Sequence, residues 1–96
     1  MLTRIVQMTF EKENIPSFER IFKASRPRIR TFPGCTHLEL LQDADNPQVF
    51  FTYSRWESEA DLQAYRESDF FREVWGRTKK LFAERPRAWS LNKRTP

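Results

Sequence analysis

The segment QVFFTYSRW, residues 48–56, constrains this chain more than any other. In a strand, successive side chains point to opposite faces. Val49, Phe51 and Tyr53 then point one way, while Phe50 and Trp56 point the other with Thr52 and Ser54 between them. Both faces are apolar, and a strand apolar on both faces is normally buried on both. Leaving Phe51 or Tyr53 in water would forgo roughly 1.5–3 kcal/mol apiece. The sheet that holds this strand therefore needs a cover on each side.

The rest of the sequence supplies one cover. Residues 2–10 read as a strand, with Ile5 and Thr9 on one side and Val6, Met8 and Phe10 in a mainly apolar set. Asn14 is placed to cap a helix whose Ile15, Phe18, Ile21 and Phe22 recur at helical spacing, and Pro27 is expected to kink or interrupt it. TFPGC is a hard turn, since Pro33 fixes its backbone and Gly34 tolerates conformations that other residues avoid. A second strand spans Cys35 to Gln42, and DADNP joins it to the third as an antiparallel pair. Ser58 followed by Asp61 marks the start of a short helix to about Glu67, and Ser68 with Asp69 starts another. There Phe71, Val74, Trp75, Thr78, Leu81 and Phe82 form one stripe, which Pro86 is expected to end. Arg87 to Lys93 alternate as a last strand, with Trp89 and Leu91 on one side.

This order is β-α-β-β-α-β with the second helix split. It predicts an α+β, ferredoxin-like fold: a four-stranded antiparallel sheet with its helices on one face, in one domain over residues 1–96. The other face is left for a second copy of the chain, packed sheet on sheet, or for a nucleic acid stacked on the rings.

Composition narrows the chemistry. The only glycines are Gly34 and Gly76, too few and too far apart for a phosphate-cradling loop. One His and one Cys cannot assemble a zinc or iron site. Cys35 and His37, two apart on a strand, are expected on the same face, yet without a third partner they make weak support for a nucleophile. The net charge of +4 invites an anionic partner, but acids are interleaved with the basic clusters, as on solvated helix faces. RNA-recognition modules share the strand order, but the third strand lacks their basic-Gly-aromatic-Gly start and follows acidic Asp43 and Asp45. No nucleic-acid partner is expected. No apolar run reaches the roughly 20 residues of a membrane span, and with a lone cysteine and no cleavage site the expectation is a cytoplasmic protein without a membrane partner.

The stretch from Phe32 to Val74 resembles the antibiotic biosynthesis monooxygenase (ABM) family. It has the Pro-Gly-Cys turn, a Leu-Glu-Leu strand, an Asn-Pro hairpin, an aromatic strand ending in Trp-Glu, then Ala-Tyr-x-x-Ser and a Phe-Phe helix. The resemblance implies a homodimeric α+β barrel of two facing sheets. It also implies a monooxygenase that acts without a cofactor on a small aromatic, quinol- or anthrone-like compound. A non-catalytic dimer that binds such a ligand is the alternative. Haem-degrading relatives carry an Asn, a Trp and a ligating His where this chain has Val6, Tyr65 and Trp75, so haem degradation is disfavoured.

Within that resemblance, Tyr65 and Trp75 are the candidate catalytic side chains. His37 joins them as the only side chain whose ordinary pKa lies near neutrality, although its place in the strand turns it toward the inter-subunit side. Val6, Tyr53, Trp56 and Phe71 are the candidate substrate contacts, with Glu39 and Glu57 as further polar groups. No metal ligands and no cofactor are expected.

Overall fold

The computed structural model describes residues 1–96. Its strands are β1 (Leu2–Thr9), β2 (Cys35–Gln42), β3 (Val49–Trp56) and β4 (Arg87–Asn92); its helices are α1 (Ile15–Arg30), α2 (Glu59–Arg66) and α3 (Asp69–Lys79). All strands pair antiparallel in the order β2-β3-β1-β4, the ferredoxin-like α+β arrangement. No helix is long and apolar enough to cross a membrane.

Local chemistry accounts for the punctuation. Gly34 has φ +88°, and a Cβ there would stand 2.4 Å from Asp61 Cβ, so both backbone and space demand glycine. In the DADNP loop, Asp43 Oδ1 accepts from the N–H groups of Asp45 and Asn46 at 2.8 and 3.1 Å. Ser58 Oγ accepts from Asp61 N at 3.1 Å and starts α2; Ser68 Oγ accepts from Phe71 N at 3.1 Å and starts α3.

Four expectations are corrected. Helix α1 runs unbroken through Pro27, which sits in its last turn and removes a single backbone bond. The Pro27 carbonyl then accepts from both the N–H and the hydroxyl of Thr31, closing the helix. Asn14 does not cap α1: a 3-10 turn over Lys12–Asn14 precedes the helix, and the Asn14 amide donates to Leu81 O at 3.4 Å instead. Helix α3 ends at Lys79, well before Pro86, because Phe82 pairs with Phe10 as a bridge at the end of β1 and Ala83 N donates to Thr9 O at 2.8 Å. Finally, Cys35 and His37 do not share a face. A bulge between them sets Cys35 opposite Trp56 and His37 opposite Arg55, so the extra residue Thr36 turns one inward and the other outward.

The buried core lies between helices and sheet in two clusters. Leu2, Cys35, Trp56 and Leu62 form one; Met8, Phe10, Phe18 and Phe50 form the other, with the Phe10 and Phe18 rings stacked at 4.1 Å. The opposite face of the sheet has no helix over it. Across it the register aligns Glu39, Tyr53, Ile5 and Trp89 in one row, with Leu41 and Phe51 beside them. Leu41 and Leu91 are 44% and 45% exposed there, which makes this the apolar face that the two-sided strand left in need of a cover.

Candidate functional site

Between the two core clusters the packing is incomplete. A cavity of about 280 Å³ opens between the helices and the inner face of the sheet, close to the lower end of the ~300–1,000 Å³ usual for small-molecule sites. Its floor is β1 and β3: Arg4, Val6 and Met8 alternate inward from one, Thr52, Ser54 and Trp56 from the other. Its wall is the α2–α3 corner, which presents Tyr65, Phe71 and Trp75.

The aromatic residues are ordered by one another. Tyr65 stacks on Trp56 at 5.0 Å, Phe71 meets Tyr65 edge to face at 5.0 Å, and Trp75 lies parallel to Phe71 at 5.9 Å. Two hydroxyls hold this run in place. Ser54 Oγ accepts the buried Trp56 indole N–H at 3.0 Å, fixing the ring at the bottom. Ser68 Oγ donates to Tyr65 O at 2.6 Å while capping α3, so one side chain sets the angle between the two helices that carry Tyr65 and Phe71. The Tyr65 hydroxyl and the Trp75 indole N–H make no hydrogen bond within the chain, and neither is sealed from solvent. Both polar tips are thus free for a ligand.

The electrostatics are one-sided. The lining includes Arg4, Arg66 and Arg87 and has no Asp, Glu or His. Burial, and then repulsion from Arg66, lowers the pKa of the Arg4 guanidinium. Burial, with a smaller contribution from Cys35, pushes the Tyr65 phenol well above its usual range, so at neutral pH Tyr65 is a hydrogen-bond donor and never a phenolate.

Of the residues singled out from sequence, Val6, Trp56, Tyr65, Phe71 and Trp75 come together in this cavity. His37 and Tyr53 do not. They lie on the uncovered face, where the two rings meet edge to face at 5.7 Å, His37 Nε2 pairs with Glu39 at 2.5 Å, and Arg55 donates to the Tyr53 hydroxyl. Within one protomer the sheet separates His37 from the cavity, so it has no reach to a substrate there. Glu57 is exposed and does not line the cavity either. Sequence reading passed over Arg4, although the alternation of Leu2, Arg4, Val6 and Met8 already placed one cation on an apolar inner face.

Comparison with known proteins agrees with this architecture. A model of the antibiotic biosynthesis monooxygenase family matches residues 1–75, a span that contains every aromatic residue of the cavity wall. The chain belongs to the ABM family. Among solved structures, a conserved protein of Methanosarcina mazei superposes on this ABM chain with a TM-score of 0.92 at 19% identity, covering 98% of this chain and 94% of that one. A structure described as an antibiotic biosynthesis monooxygenase gives 0.92 at 18%, covering 99% and 100%. Rv0793 of Mycobacterium tuberculosis gives 0.90 at 16%, covering 99% and 96%. At such identities the likeness establishes the shared fold. No curated protein sequence is significantly similar to the chain. The haem chemistry of some ABM relatives does not fit these residues: Val6 has no polar side-chain atom, and the Trp75 indole offers an N–H donor where iron needs a lone pair.

Proposed function

We propose that this ABM protein is a cofactor-independent monooxygenase acting on a small aromatic, quinol- or anthrone-like compound bound in the cavity. The observation that carries the reading is the pair of free polar tips, Tyr65 O–H and Trp75 N–H, set in an otherwise aromatic wall. A flat ring system slots against Phe71, Trp75 and Tyr65, and its oxygen takes up the two donors.

The chemistry asks little of the protein beyond this. A ring CH2 of an anthrone gives up a proton and becomes a delocalised oxyanion. Tyr65 and Trp75 hydrogen-bond that oxyanion, and the nearby cations lower its pKa further, so that water suffices to receive the proton. The anion passes one electron to dioxygen, the two radicals join in a C–O bond, and the O–O bond breaks as the second C–H proton leaves. The sum is CH2 + O2 → C=O + H2O, in which the substrate supplies all four electrons. The Tyr65 phenol is suited to this role because its raised pKa keeps it protonated throughout.

A second copy of the chain is the occupant proposed for the uncovered sheet face, where Phe51, Tyr53 and Trp89 would otherwise face water. The non-catalytic alternative, a dimer that binds the same ligands, draws support from the absence of any carboxylate or imidazole in the cavity lining. Oxygen uptake with a panel of quinols and anthrones separates the two. Consumption above the uncatalysed rate, lost in Tyr65→Phe, is the expected result; tight binding without consumption moves the assignment to a carrier.

A further inference from the structure

Arg4 occupies an unusual position for a cation. It lies on β1, one of the two inner strands of the sheet, facing the helices, with Ser54 and Ser90 as its register partners on either side. Its guanidinium extends toward β4, where Nη1 donates to Ser90 Oγ at 2.9 Å. The ion pairs of the molecule are His37–Glu39 and Arg72–Asp69, so Arg4 has no carboxylate partner. A second cation, Arg66 at the end of α2, lines the same cavity, and it too is unpaired.

Holding an unpaired charge half-buried is unfavourable, and bringing a like charge beside it adds to the cost. Nothing in the pairing of β1 requires a cation at position 4, since the neighbouring inward positions are Leu2, Val6 and Met8. An anion entering the cavity would remove both penalties at once. The guanidinium retains N–H groups beyond the one used by Ser90, in the planar fork that matches a carboxylate in bidentate geometry. The wall beside it is aromatic and flat.

We propose that the cavity selects planar aromatic ligands that carry a carboxylate, seated on Arg4 with Arg66 as the second cation. This rests on the cavity being the ligand site and narrows the substrate class to acidic members of the quinol- or anthrone-like compounds. The carboxylate is a handle that does not react; the ring oxygen facing Tyr65 and Trp75 takes up the negative charge left when the ring carbon loses its proton.

The test is a calorimetric titration of the full chain with 2-naphthoate and with its neutral isostere 2-naphthamide. Wild type binds the acid at least tenfold more tightly than the amide. Arg4→Gln abolishes that preference by weakening the acid far more than the amide, while Arg4→Lys keeps part of it, a point charge being a poorer match than the fork. Arg66→Gln, at an exposed helix end, weakens the acid severalfold more than the amide, and it carries the test if Arg4→Gln melts early. Equal affinities in wild type, binding of neither compound, or a preference that survives Arg4→Gln or is indifferent to Arg66→Gln overturns the proposal. No oxygen is consumed in this experiment. A chain that prefers the acid but oxidises no quinol keeps the carboxylate seat and loses the oxygenase, and the reverse result loses the seat alone.

Discussion

Gly34→Ala tests how tightly the turn before β2 controls the site. Two costs add. At φ +88° a side chain meets its own backbone, roughly 1–2 kcal/mol for an L-residue in the left-handed region. The new Cβ would also stand 2.4 Å from Asp61 Cβ and Cγ, so Asp61 has to move. Asp61 is held by Ser58, whose hydroxyl bonds the Asp61 N–H at 3.1 Å and its Oδ2 at 3.0 Å, and disturbing that cap costs about 1 kcal/mol. The sum is about 2–3 kcal/mol. At roughly 4–8 °C per kcal/mol for a domain of this size, the midpoint of thermal unfolding falls by roughly 8–24 °C. Far-UV circular dichroism at one fixed protein concentration measures it, concentration being held because the proposed self-association would shift the midpoint. The second substitution Asp61→Gly removes the overlap but leaves the backbone strain, so Gly34→Ala costs less in an Asp61→Gly background than in wild type. A fall of less than about 4 °C in wild type, or an equal fall in the two backgrounds, refutes the reasoning. Because α2 carries Leu62, Tyr65 and Arg66 into the cavity, ligand affinity falls with stability.

Tyr65→Phe keeps the ring stacked on Trp56 and removes only the hydroxyl, so the fold is retained while kcat for oxygen uptake drops about 100-fold, the usual cost of one oxyanion donor; an unchanged rate removes Tyr65 from the chemistry. Burial first, and Cys35 second, raises the Tyr65 pKa in the folded chain above its unfolded value near 10, so above that pH the unfolded state binds fewer protons and stability falls as pH rises. Urea midpoints between pH 9 and 11 decline in wild type and decline less in Tyr65→Phe. Ser68→Ala removes the α3 cap and the bond to Tyr65 O, and costs about 1 kcal/mol in denaturant titration. Tyr53→Glu, on the uncovered face, converts the sedimenting species from dimer to monomer without altering the far-UV spectrum; wild type that already sediments as a monomer defeats the proposed pairing.

What the sequence determined by itself is everything decided by near neighbours in the chain. The β-α-β-β-α-β order, the caps at Ser58 and Ser68, the glycine turn at Gly34 and the two-sided strand Val49–Trp56 depend on local periodicity and on backbone groups a few residues away. Tyr65 and Trp75 are legible through the resemblance of the Phe32–Val74 stretch to the ABM family and not through local periodicity, and the serine that joins their helices is what orients Tyr65 and Phe71. Tertiary structure alone decided the rest. The bulge that parts Cys35 from His37 arises from β2 registering on β3, and α3 stops short because Phe82 is drawn to Phe10 from the far end of the chain. Arg4 meets Arg66 only because β1 is laid beside β3 under the α2–α3 corner. Such meetings are set by pairing register and core filling between distant segments, energies that no short window of sequence contains.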